Sequence, residues 1–208
     1  YKDIIELHLT NDIDDMGLAR VDARTGEVVT KSGAKFNAAV ANIIPDQHAG
    51  DIAISSGLAE GDWCPVQLES FKSAKSEFVY VLGDSSAAAE MPKSAFSANN
   101  QAKVVAADIL ADLAGHPHPE SRYRNTCWSF LAPDDSVKIG ADYAPGDVKG
   151  KHVLVPSNSF VSQPSEKPAL RKEVFDESLA WYDTLVASVF LEGSGSAAQR
   201  GLQSGVKR

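Results

Sequence analysis

Residues 78–113 constrain this chain more than any other stretch. They open with five consecutive apolar or aromatic residues, Phe78-Val79-Tyr80-Val81-Leu82, and the run stops at Gly83-Asp84. An unbroken apolar run ended by a glycine predicts a strand buried on both faces, as found inside a parallel sheet. The carboxyl ends of such strands face ligands, and Asp84 is placed there to accept hydrogen bonds from sugar or polyol hydroxyls. Met91-Pro92-Lys93-Ser94 follows, and then an alanine-rich segment in which Ala98, Ala102, Val105, Ala106, Ile109, Leu110 and Leu113 recur at helical spacing. Ser94 or Ser97 caps the start of this helix, and Gly115 with Pro117 ends it. The free amide hydrogens at its start, together with Lys93, gather positive charge where an anion can lie. Each feature alone is ordinary: Gly-Asp is a turn, an alanine-rich helix is a packed helix, and a lone lysine is solvated. Their order is what points to a ligand site.

At 208 residues and 43% hydrophobic, the chain can bury one sizeable core or two modest domains. A net charge of -8 and a pI of about 5.1, with no block of basic residues, exclude a duplex nucleic-acid binder. No apolar run approaches the roughly 18 residues of a membrane span, and no charged-then-apolar leader is present. The start at Tyr1 leaves room for a leader or a whole upstream domain.

Residues 1–44 read as β structure. Ile5, Leu7 and Leu9 alternate with polar neighbours, 18–23 and 27–30 flank Arg24-Thr25-Gly26 as a hairpin, Ser32-Gly33 turns again, and 40–44 is an apolar run ended by Pro45. Asp12, Asp14 and Asp15 lack the glycine and distal glutamate of a calcium loop and read as a solvated loop. Residues 49–56 predict a short helix stopped at Gly57. The two cysteines, Cys64 and Cys127, allow one disulfide or two buried thiols but lack the clustering of a zinc site. His116-Pro117-His118-Pro119 is a rigid connector with solvated histidines, so no metal site is expected. Residues 128–143 read as a strand pair around Pro133-Asp134-Asp135, and 145–168 as polar and turn-rich. A terminal helix then carries Leu170, Val174, Trp181, Leu185 and Val189 on one face, and the Gly/Ser-rich residues 191–208 are expected to be a disordered tail. The fold class is α/β, of the mixed α+β kind.

Several stretches carry a family resemblance: Asn42-Ile43-Ile44-Pro45, Trp63-Cys64-Pro65-Val66, Gly83-Asp84, the run from Met91 through Asn99, and Asn125-Thr126-Cys127-Trp128-Ser129. In this order and spacing they resemble the flavoprotein subunit of flavocytochrome c sulfide dehydrogenase, over about residues 1–190. That family has a Gly-x-Gly-x-x-Gly fingerprint near its amino terminus, which this chain lacks. The resemblance therefore implies the carboxyl-terminal part of a flavoprotein with two dinucleotide-binding domains. Residues 1–45 would end a nicotinamide-domain-like segment, 46–115 form the second part of the FAD-binding domain, and 116–190 an interface domain.

The resemblance also implies roles. Asp84, after Gly83, would hydrogen-bond the ribityl chain of FAD. Lys93, with Ser94 beside it, and the amino end of the helix beginning near Ser97 would lie at the pyrimidine side of the ring. Cys127 would be the second cysteine of a redox-active disulfide whose partner belongs to an upstream half, unless Cys64 substitutes for it. Phe96 and Trp181 match aromatic positions near that site. The implied activity is sulfide oxidation with electrons passed to a c-type cytochrome subunit, in the periplasm. The haem would sit on another chain, since this one has no Cys-x-x-Cys-His. The alternatives are a sulfide:quinone oxidoreductase-like enzyme, which calls for a membrane-facing amphipathic end, and a non-catalytic remnant that binds a partner through the terminal helix.

Overall fold

The structure, a computed structural model, describes residues 3–190, and the chain divides between Gln47 and His48 into two compact units. The expected tail at 191–208 lies outside the described residues.

The first unit holds a short helix α1 (Ile13–Met16) and an antiparallel sheet of β1 (Leu18–Asp22), β2 (Glu27–Thr30) and β3 (Lys35–Asn37). Its hairpin falls where the turn residues place it. Asp22 Oδ1 accepts the amides of Arg24 and Thr25 at 2.9 and 3.2 Å, and Gly26 takes a φ of +74°. A Cβ on Gly26 would stand 2.4 Å from the Ala38 carbonyl oxygen, so only glycine fits this corner. The acidic loop is instead α1, with Asp12 Oδ1 accepting the Asp14 amide at 2.9 Å. The alternating run at Ile5, Leu7 and Leu9 is not a strand, nor is 40–44; Ile5, Leu7, Leu9, Val40 and Ile44 are exposed. Alternation makes a strand only where a neighbour completes the ladder, and no described strand lies beside either run.

The second unit contains α2 (Asp51–Ser55), a 3-10 turn at Gly83–Ser85, α3 (Ala95–Ala114), β4 (Tyr123–Ala132), β5 (Asp135–Val148), β6 (Lys151–Val161) and α4 (Pro168–Phe190). The strands form an antiparallel meander in the order β4-β5-β6, so the mixed α+β class is observed. Helix α3 packs on β4, and α4 packs chiefly on β5. Leu68, Phe71, Met91, Val105, Tyr123, Tyr143 and Leu154 form the main core. Helix α2 ends at Gly57 (φ +72°), as its glycine dictates.

Three expectations are corrected here. Residues 78–82 are not a central strand of a parallel sheet. Tyr80 pairs antiparallel with Lys72 in a single bridge, flanked by Ser73 N–H donating to Val79 O and Val81 N–H to Phe71 O, and Phe78 is 87% exposed. No described strand lies alongside to bury both faces of the run.

Residues 145–168 are not merely turn-rich: β5 runs on to Val148 and β6 returns from Lys151. Lys149 and Gly150, with φ of +52° and +76°, supply the tight hairpin turn. Two prolines conceal these strands. Pro145 lies beyond the last β4 partner pair, Tyr123↔Tyr143, and Pro156 is on the edge strand, so neither breaks a ladder on both sides.

His118 is not simply solvated. Its Nδ1 lies 2.6 Å from Asp108 Oδ1 and its Nε2 3.2 Å from Asp112 Oδ1, two carboxylates one turn apart on α3. The Tyr80 hydroxyl faces the same pair, 3.0 Å from Asp108 Oδ2.

Candidate functional site

The start of α3 lies across the edge strand β4 and organises the site. Ser94, not Ser97, is the N-cap: its extended backbone lets Oγ accept the Ser97 amide at 3.1 Å. The Ser94 hydroxyl donates to Asn125 Oδ1 at 2.6 Å, and the Ser97 hydroxyl reaches the same oxygen at 3.1 Å. Asn100 Oδ1 accepts the Arg124 amide, which covers part of the free edge of β4. Strand alternation puts Asn125 and Cys127 on one face. There Asn125 Nδ2 donates to Cys127 Sγ at 3.4 Å. Both residues line a groove of about 580 Å³ together with Ile139, Tyr143, Phe160, Glu90 and Pro92. Burial pushes the Tyr143 phenol up, helped by the Cys127 and Glu90 charges.

The loop before α3 forms a second cluster. The 3-10 turn starts at Gly83, with φ +70°, and its amide donates to Oε1 of the buried Gln101 at 2.7 Å. The Asp84 side chain is exposed while its carbonyl serves the fold. Lys93 Nζ donates to Asp84 O and Ser86 O, both at 2.7 Å, and lies 3.7 Å from the centre of the Trp63 ring. Although Lys93 is exposed as a residue, these contacts turn its ammonium inward. Burial lowers its pKa, against the opposing pull of the Asp84 and Cys64 charges.

The third cluster is aromatic. Phe96 of α3 stacks on Trp181 of α4 with centroids 5.2 Å apart and planes at 24°, and Trp128 of β4 stands 5.8 and 5.6 Å from them. Trp128 Nε1 is buried without a hydrogen-bond partner among the described residues. The three rings pack on one another, with Trp128 tilted 55° to Phe96 and 31° to Trp181.

The structure thus joins Gly83, Asp84 and Lys93 through one loop, Ser94 to Cys127 through Asn125, and Phe96 to Trp181 directly. Both cysteines are free. Cys64 sits in a separate small core with Ala49 and Ala53, where burial raises its thiol pKa against the pull of Lys93. It is the buried thiol of the two readings left open by the sequence.

Sequence reasoning assigned no role to Asn125, Trp128 or Gln101. The available signals were the same-face spacing of Asn125 and Cys127, and the polar Ser97, Gln101 and Asp108 on the buried side of α3.

Residues 119–190, which span β4, β5, β6 and α4, match the family model described as flavocytochrome c sulphide dehydrogenase, flavin-binding. The match covers this segment and not the residues before it. The matched segment carries Cys127, Trp128 and Trp181, whereas Gly83, Asp84, Lys93, Ser94 and Phe96 precede it. The match supports a flavoprotein oxidoreductase role and is consistent with FAD as the cofactor. Among the described residues no helix is long and apolar enough to cross a membrane.

Proposed function

We propose that this chain is the carboxyl-terminal part of an FAD-dependent sulfide dehydrogenase flavoprotein subunit that oxidises sulfide in the periplasm and passes electrons to a c-type cytochrome subunit. The observation that carries this reading is Cys127, open to the groove and hydrogen-bonded by Asn125, in the same matched segment as the Trp128 and Trp181 rings. Phe96, Trp128 and Trp181 would wall the flavin ring. Lys93 and the amino end of α3 would supply positive charge beside it, and Asp84 would accept from its polyol chain. Bound flavin supplies a two-electron acceptor that can release electrons singly.

Cys127 works as one half of a disulfide with a cysteine of an upstream segment. Hydrosulfide attacks that disulfide, one sulfur–sulfur bond forms as another breaks, and the products are a cysteine persulfide and a cysteine thiolate. The groove beside Cys127 admits the small anion.

The test is Cys127→Ser in the complete protein, with flavin content read from the visible spectrum and sulfide oxidation followed through cytochrome reduction. Retained flavin with turnover abolished is expected. Turnover at the parental rate would remove Cys127 from the mechanism.

A further inference from the structure

We infer that Asn125 is a positioning residue for Cys127, its carboxamide locked by the start of α3 so that it donates to the sulfur when that sulfur attacks or departs as thiolate. The inference rests on the reading of Cys127 as a redox cysteine.

Asn125 is only 2% exposed, so its amide has to find partners within the fold. Two hydroxyls converge on one end of it, Ser94 at 2.6 Å and Ser97 at 3.1 Å. A separation of 2.6 Å suits O–H···O contact and is short for N–H···O, which makes that end the oxygen. The Ser94 hydroxyl is itself held, since as N-cap it accepts the Ser97 amide. The nitrogen is thereby turned along the strand face to Cys127 Sγ at 3.4 Å, within sulfur hydrogen-bond range, while the oxygen stands farther off at 3.9 Å.

A donor fixed in this way discriminates between states of sulfur. Hydrogen bonds to a charged acceptor are roughly twice as strong as those between neutral groups, so the amide favours thiolate over thiol. Thiol–disulfide exchange needs that form both for attack and for departure. Donation from the two serines to the oxygen polarises the amide in the same sense. The other titratable groups lining the groove are Glu90 and Tyr143, and neither donates a hydrogen bond to the sulfur.

The test is the pH–rate profile of alkylation by iodoacetamide in the reduced complete protein, with the Cys127 peptide resolved by mass. In Asn125→Ala the profile should move to higher pH and the rate at neutral pH should fall by about tenfold. Asn125→Asp, nearly the same shape, should move it further, because a carboxylate then faces the thiolate. Ser94→Ala should move it less, in the same direction. If Asn125→Ala does not fold, Asn125→Asp carries the test alone. Profiles that superimpose on the parent in a folded variant would overturn the inference while leaving the role of Cys127 intact. An active Cys127→Ser enzyme would instead overturn the functional reading, whatever the profiles show.

Discussion

His152 Nε2 and Glu69 Oε1 lie 2.6 Å apart, tying the β5–β6 hairpin to a loop 83 residues earlier in the chain. The other ring nitrogen faces Asp147 Oδ1 at 3.2 Å. The Glu69 and Asp147 carboxylates raise the pKa of His152 above its ordinary 6.5. A raised histidine binds its proton more tightly in the folded state, so its contribution is complete below the unfolded value and fades as pH climbs through the folded one. Thermal melts taken from about pH 5.5 to pH 9 should show this contribution declining above about pH 6.5, and His152→Gln should flatten that part of the curve. Parallel curves for parent and variant would refute the linkage.

Gly140 allows β4 and β5 to approach at the candidate site. A Cβ there would fall 2.2 Å from Asn125 O, 2.6 Å from Phe160 Cζ and 3.1 Å from Thr126 Cα. Two of these neighbours are backbone atoms, which cannot rotate away. Gly140→Ala is expected to cost about 3 kcal/mol, at the upper end of overpacking. Gly83→Ala meets only Ala98 Cβ at 3.5 Å, and its cost of about 1 kcal/mol comes from the positive φ. Urea denaturation of both variants checks the ranking.

Gln101 holds the Gly83 amide from inside α3. Gln101→Leu keeps most of the volume but leaves that amide without its acceptor, at a cost of about 1–3 kcal/mol. The loss should be felt first in the turn, as faster amide exchange across residues 83–86, while exchange in β5 stays slow. Unchanged exchange in the turn would show that Gln101 does not anchor it.

Helix α3 is legible in the sequence because both of its boundaries are local: Ser94 caps within its own first turn, and Gly115 takes the left-handed conformation that ends it. The first hairpin is legible for the same reason. Residues 78–82 mislead because burial on two faces is supplied by neighbours, and the run itself cannot reveal that only a single bridge awaits it. Strands β5 and β6 are masked by Pro145, tolerated because the β4 ladder stops at Tyr143, and by Pro156, tolerated because β6 is an edge strand. The site divides in the same way. Cys127, Phe96 and Trp181 come from the family resemblance, whereas Asn125 depends on hydroxyls 31 and 28 residues away that meet it only after α3 has docked.

The two thiols differ in one respect with a practical consequence. Cys64 has no accessible surface, whereas Cys127 opens on a groove. A reagent that modifies Cys127 in the native protein can reach Cys64 only when the packing around Ala49 and Ala53 comes apart. The slow thiol therefore counts excursions of the polypeptide away from its native packing, and the fast one reports the chemistry of the groove, so one labelling experiment measures both stability and reactivity in the same sample.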